Sequence, residues 1–91
     1  MRTILVTYDL NRPGQEYGEL IRHLKAYPSW WKHLYSTWLL RTPLTAEQVR
    51  DAVRQHLDVN DKLLVVDVTG AAFAWTGINA EGSNWIQTNY R

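Results

Sequence analysis

The chain has 91 residues, no cysteine and a formal net charge of +1. This length suits one domain with one core, and the lack of cysteine excludes disulfides, thiolate metal ligands and a cysteine nucleophile. Without a signal-type segment or a run long enough to cross a bilayer, the sequence predicts a cytoplasmic protein with no membrane association. Lys and Arg are scattered without a basic tail, so charge alone predicts no strong, sequence-independent nucleic-acid binding.

The first predicted element is a strand over residues 2–10. Its alternation places Ile4, Val6 and Tyr8 on one face and Leu5, Thr7 and Asp9 on the other. The strand ends in a single carboxylate, Asp9, before a turn at residues 11–14. An acid in this place is either a functional group or a residue that braces the turn, and the pattern leaves both interpretations open.

Two helices and a strand pair follow. Pro13 suits a first helical turn, and apolar residues at helical spacing predict a helix that ends near Tyr27. The aromatic and β-branched run over residues 29–42 is too long for one strand and predicts a hairpin. Thr45 and Gln48 have capping-box spacing, which predicts a second helix that ends near Leu57.

The last third of the chain predicts three more elements. Residues 62–69 form the clearest strand after the first. Residues 71–78 are predicted as a short extra strand with Phe73 and Trp75 on one face, and residues 80–90 as a terminal helix. Five Trp and five Tyr exceed what a small core hides, so part of the aromatic surface is expected at an interface.

This order of elements predicts an α+β protein with a ferredoxin-like βαββαβ sandwich, an antiparallel sheet with both helices on one face. Right-handed crossovers give the strand order fourth, first, third, second. Asp9 then lies near Ser36 on one side and near Asp61 and Lys62 on the other. Asp67 falls about 20 Å away at the usual rise per residue and is a poor partner for Asp9.

Asp9, Ser36 and Asp61, with His33 in the hairpin above, form a cluster of groups suited to Mg²⁺ or Mn²⁺. Because one carboxylate rarely holds such an ion, a two-fold axis that pairs two copies of Asp9 would supply the missing ligand. In the alternative interpretation, Ser36 and Asp61 are turn residues without chemistry. The other histidines lack zinc-like spacing and are predicted as surface residues, and no serine has the setting of a nucleophile.

Four segments carry a resemblance to a known family: residues 8–10, 34–38, 44–45 and 61–65. In order and spacing they resemble the CRISPR-associated Cas-two proteins and their VapD-type relatives, including short bacterial and phage proteins often labelled SinR-like. The resemblance implies a ferredoxin-like homodimer in which Asp9 is the Mg²⁺-dependent nuclease residue. Ser36 falls on the family's serine, whereas Trp38 replaces its phenylalanine and Leu34 its common glutamine.

Three functions are therefore expected to compete. The first is a metal-dependent endoribonuclease or endonuclease, with Asp9 and Ser36 at the catalytic centre and Arg12 or Lys62 on the phosphate. The second is a non-catalytic dimeric adaptor in a CRISPR, toxin-antitoxin or phage-defence setting. It would bind RNA, DNA or a protein partner, with Phe73 and Trp75 at the interface. The third, a small-ligand regulatory domain, ranks last because no Gly-rich phosphate loop is present.

Overall fold

The computed structural model describes residues 1–11 and 17–89 and has an α+β architecture. Within these ranges the elements are β1 (Arg2–Asp9), α1 (Gly18–Lys25), β2 (Ser29–Leu34), β3 (Thr37–Thr42), α2 (Ala46–Arg54), β4 (Lys62–Asp67) and α3 (Ala80–Asn89). The four strands form one antiparallel sheet in the order β2-β3-β1-β4, which is the predicted order seen from the other edge.

One face of the sheet carries the larger core. Ile4 and Val6 are fully buried on this face beside Trp38. Leu20 and Leu24 of α1 and Val49 and Val53 of α2 complete the cluster. The two helices therefore share one face, as their apolar stripes predict. The capping box of α2 is present, because Thr45 Oγ1 accepts from the N–H of Gln48 and the Gln48 side chain accepts from the N–H of Thr45.

The opposite face is partly covered by α3. Trp31, Leu39 and Ile86 are buried together there. The indole N–H of Trp31 donates to the carbonyl of Gly82 over 3.0 Å. At the other end of the helix, the Thr3 hydroxyl donates to the carbonyl of Asn89 over 2.9 Å. The sheet thus has a helical layer on both faces, and the second layer is the smaller.

The structure corrects one predicted element and shortens others. Residues 71–78 form no strand, so the predicted extra strand is wrong; they cross the second face as an irregular segment between Gly70 and Gly77, both with positive φ. The helix α2 ends at Arg54 and β4 at Asp67, earlier than predicted. The helical turn predicted at Pro13 lies outside the described residues. In the described ranges, no helix combines the length and apolar character needed to span a bilayer.

Candidate functional site

Asp9 ends β1 and lies directly opposite Lys62, the first residue of β4. Both side chains are exposed. They line a shallow cavity of about 260 Å³ together with Thr7 and Leu64. The structure therefore places an accessible carboxylate and an accessible ammonium side by side at one end of the sheet, as the topology predicts. Opposite charges directly across an antiparallel pair also stabilise the strand pairing itself.

Ser36 lies at the same end of the sheet. It belongs to the two-residue turn between β2 and β3, and its carbonyl oxygen accepts from the N–H of Tyr8 over 3.1 Å. This bond continues the pairing of β1 with β3 and brings the turn beside the end of β1. Arg12, the other residue predicted to bind phosphate, lies outside the described residues.

Asp61 has a structural role, which corrects its predicted place in a metal cluster. One carboxylate oxygen accepts from the N–H of Asn11 over 2.6 Å and from the hydroxyl of Tyr17 over 3.2 Å. The other accepts from the N–H of Asp58 over 2.7 Å. The carboxylate thus joins the loop after β1 to the turn before β4. Asp61 therefore has the role of a loop acid, as in the alternative interpretation, because its carboxylate accepts hydrogen bonds from backbone N–H groups.

His33 also departs from the predicted cluster. Its ring lies 5.2 Å from that of Trp31, centroid to centroid, and packs against Gly82 of α3. In the described part of the chain, no three His, Cys, Asp or Glu side chains come together in a way that could hold a metal ion. Within residues 1–11 and 17–89, Asp9 is therefore the one carboxylate left for this site, and these residues of one copy do not by themselves fit a Mg²⁺ or Mn²⁺ ion.

Asp67 closes the turn at the far end of β4. It lies opposite Ile4, and its carboxylate accepts from the hydroxyl and the N–H of Thr69 over 2.6 and 3.0 Å. These hydrogen bonds lower the pKa of Asp67, and an exposed ion pair with Arg2 adds to the effect. The predicted separation of Asp67 from Asp9 is consistent with this register.

An apolar strip leads from the middle of the second face to Asp9. Along it, Leu5 lies opposite Val66, Thr7 opposite Leu64, and Asp9 opposite Lys62. Leu64 is 59% exposed and Val66 38% exposed. We call these three cross-strand pairs the apolar strip, with Asp9 and Lys62 as its charged end. Two exposed aliphatic side chains together on an edge strand are a feature of contact surfaces.

A groove of about 330 Å³ adjoins the apolar strip. Leu5, Trp31 and Leu39 form its floor on the sheet, and residues 73–78 form its wall. Phe73 packs on the small cluster under α3, and the indole N–H of Trp75 donates to the hydroxyl of Ser83 over 3.1 Å. Trp75 remains 37% exposed. The interface role predicted for Phe73 and Trp75 stays a prediction.

Sequence reasoning missed a pair of histidines on the first face: His23 of α1 and His56 in the turn after α2. The rings of His23 and His56 lie 4.9 Å apart, and His23 Nε2 lies 3.1 Å from the hydroxyl of Tyr27. Burial lowers the pKa of His23, and the nearby His56 lowers it further. Both rings are half-buried instead of lying free on the surface. No spacing rule could have paired two residues that are so far apart in the sequence.

Comparison of the chain with protein-family models, with curated proteins and with solved structures gave no match. The class of protein therefore rests on the architecture: an α+β domain with a four-stranded antiparallel sheet. Its distinguishing feature is an exposed acid and lysine at the end of an apolar strip.

Proposed function

We propose that the chain is a ferredoxin-like module of the Cas-two-like class that its sequence resembles, and that it works as a homodimer. The apolar strip is the surface that the second copy covers. The observation that carries this proposal is the exposure of Leu64 and Val66, at 59% and 38%, on a strand whose other face is packed in the core. Burying such side chains is favourable by about 25 cal/mol for each Å² removed from water.

The charged end of the strip favours a second copy of the same chain as the partner. Asp9 and Lys62 present both signs of charge side by side. In a two-fold symmetric contact, each copy offers the same patch to the other. The Asp9 of one copy could then meet the Lys62 of its partner at the rim of the interface, so the patch is complementary to itself.

Sedimentation equilibrium of the wild type and of Leu64→Glu tests this proposal. We expect the wild type at twice the 10.6 kDa chain mass and Leu64→Glu at the mass of a monomer. The matched control is Val59→Glu, because Val59 is 96% exposed but lies outside the strip. A monomeric wild type at 100 μM, or a Leu64→Glu variant that associates as tightly as the wild type, would contradict the proposal.

A second candidate function is phosphodiester hydrolysis by a homodimer in which Asp9 faces the partner's Asp9 and not its Lys62. The observation that favours it is the open position of Asp9 beside Lys62 in the shallow cavity. If the two-fold axis brought the two Asp9 side chains together, they would hold a divalent cation, which when bound supplies an activated water and neutralises charge. Lys62 would hold a phosphate oxygen of the strand, and Ser36 at the same sheet end would orient a bound water or phosphate.

Assays with labelled single- and double-stranded RNA and DNA, in Mg²⁺, Mn²⁺ or EDTA, test this second candidate. We expect cleavage that requires the cation and is lost in Asp9→Asn. The control is Asp51→Asn, since Asp51 is an exposed acid on α2 that pairs with arginines. Cleavage by Asp9→Asn at the wild-type rate would rule out the role of Asp9. A dimer that cleaves none of the four substrates would support the non-catalytic module.

A further inference from the structure

A second surface, at the sheet edge opposite β4, combines an exposed indole with two lysines. Trp30 on the edge strand β2 is 38% exposed. The Nζ of Lys25, the last residue of α1, lies 5.4 Å from the centroid of the Trp30 ring. The Nζ of Lys32, two residues along β2, lies 5.9 Å from the ring centroid of Trp38. We call Lys25, Trp30 and Lys32 the Trp30 patch.

Charge is distributed unevenly along the chain, and the Trp30 patch lies in its basic part. Residues 20–46 contain four Lys or Arg and no Asp or Glu, whereas the rest of the chain has six basic and nine acidic residues. Of the four, Arg22 is paired with Glu19. The nearly neutral net charge therefore conceals a basic segment that includes residues 20–25 of α1, the hairpin and both lysines of the patch. Such a region attracts polyanions, with a strength that falls as salt is added.

The indole of Trp30 rests on a rigid support. Its ring lies 5.4 Å from that of Trp38, at an interplanar angle of 52°. Trp38 is fully buried, and its own N–H is bonded to Tyr8. Packing against Trp38 accounts for the buried part of Trp30, and the ammonium of the exposed Lys25 side chain lies over the ring. Because Trp38 holds the Trp30 ring in place, a partner that stacks on it loses little binding free energy to ordering of the side chain.

We propose that the Trp30 patch binds single-stranded nucleic acid. One base stacks on the Trp30 indole. The phosphates on either side of this base form ion pairs with Lys25 and Lys32. Stacking on an aromatic ring accepts any base, and lysines contact phosphate as point charges, so the site has little sequence preference. In a duplex the faces of the bases are covered by their neighbours, so the site favours single strands. It lies apart from the Asp9 end of the sheet and does not depend on catalysis there.

Fluorescence anisotropy with labelled eight-nucleotide strands of RNA and of DNA tests the aromatic contact. We expect Trp30→Ala to weaken binding about 5- to 150-fold, the range found when a stacked base loses its aromatic partner. Trp30→Phe, which keeps a ring and the packing on Trp38, should retain part of the affinity. The matched control is Trp75→Ala, because Trp75 is 37% exposed but lies on the second face. A cooperative thermal unfolding transition shows that each variant is folded before binding is measured.

The salt dependence of binding tests the lysines separately. We expect Lys25→Gln and Lys32→Gln each to lower the slope of log K against log salt by about 0.7, the value for one phosphate contact on a single strand. Arg2→Gln should leave the slope unchanged, because Arg2 pairs with Asp67 on β4, at the sheet edge opposite the patch. These substitutions keep most of the aliphatic stem, so they test charge without removing the packing that the stem provides.

Three results would overturn the proposal: no binding of any single strand by the wild type, tighter binding of duplex than of single strand, or unchanged binding by Trp30→Ala. The first of these would favour a protein contact at the patch. Tighter binding of the RNA strand or of the DNA strand would show which of the two nucleic acids is the ligand. Leu64→Glu should bind single strands as the wild type does, and binding is measured in EDTA, so the failure of the dimer or of the cation-dependent nuclease is measured independently.

Discussion

The indole N–H of Trp38 donates a 3.0 Å hydrogen bond to the phenolic oxygen of Tyr8 inside the core. Trp38 is fully buried and Tyr8 is 9% exposed, so neither group finds water as a substitute partner. Burial raises the pKa of Tyr8, an effect that the bond from Trp38 opposes. Since Tyr8 immediately precedes Asp9, this bond fixes the strand end that carries the candidate site.

The substitution Tyr8→Phe leaves the Trp38 N–H buried without its acceptor. We expect the free energy of unfolding to fall by about 1–3 kcal/mol, the usual penalty for a buried unsatisfied polar group. Urea denaturation measures the change. Tyr35→Phe is the control, because Tyr35 is 96% exposed in the hairpin turn and its hydroxyl should contribute nothing measurable. Equal stabilities of the two variants would contradict this account of the core.

The histidine pair predicts acid sensitivity. The pKa of His23 is lowered from its ordinary 6.5, first by burial and then by His56. The folded protein therefore binds a proton less readily than the unfolded chain, and stability decreases as pH falls from 6.5 through the lower pKa of the folded state. Above pH 6.5 this contribution to stability is fully present.

Urea denaturation between pH 8 and pH 5 tests this expectation. The decrease in stability should be smaller in His23→Gln than in the wild type. In His56→Gln most of the decrease should persist, because burial is the larger cause of the lowered pKa. An identical pH dependence of the wild type and His23→Gln would assign the acid sensitivity to other groups.

At Gly82, α3 packs closely against His33 of β2 and against Ile78. A Cβ at this position would lie 2.6 Å from Cγ2 of Ile78 and 2.8 Å from Cδ2 of His33. We expect Gly82→Ala to displace α3 and to destabilise the fold by about 1–3 kcal/mol, as overpacking does. Gly18→Ala is the matched control, since a Cβ there meets nothing within 4 Å. Thermal unfolding should separate the two variants, and a Gly82→Ala variant as stable as Gly18→Ala would contradict the close approach.

Asp61 is expected to contribute stability instead of chemistry. Asp61→Ala removes the acceptor for the N–H groups of Asn11 and Asp58. We expect a loss of about 1–3 kcal/mol, because hydrogen bonds to a charged group are among the stronger ones. Asp51→Ala, which removes an exposed acid from α2, should change stability by less than about 0.5 kcal/mol. If the two variants were equally stable, Asp61 would have no bracing role.

The sheet could be predicted because its signals are local. The alternation along β1 assigns Ile4 and Val6 to one face and Leu5 and Thr7 to the other, and both faces have this composition in the structure. The capping box at Thr45 is also local, since its two partners are three residues apart. Once strands and helices were assigned, chain handedness left few arrangements of the sheet.

The errors arose where distant residues decide the outcome. Phe73 and Trp75 alternate as in a strand, but their rings pack on the covered face and on Ser83, and residues 71–78 pair with no strand. For Asp61 the sequence left both interpretations open, metal ligand and loop acid, because its partners Asn11 and Tyr17 are 50 and 44 residues away. The basic region around Trp30 was missed because the net charge averages it with acids elsewhere.

The helical layers on the two faces of the sheet bury apolar clusters of different size. Among the described residues, the cluster under α1 and α2 has nine buried members, whereas the cluster under α3 has three. The free energy of local opening follows the apolar area that opening exposes. We therefore expect the α3 layer to open more often than the rest of the fold unfolds, and each opening to uncover Trp31 and Leu39 while the sheet stays intact. A small fraction of molecules would then offer a wider apolar surface on this face than the closed structure does.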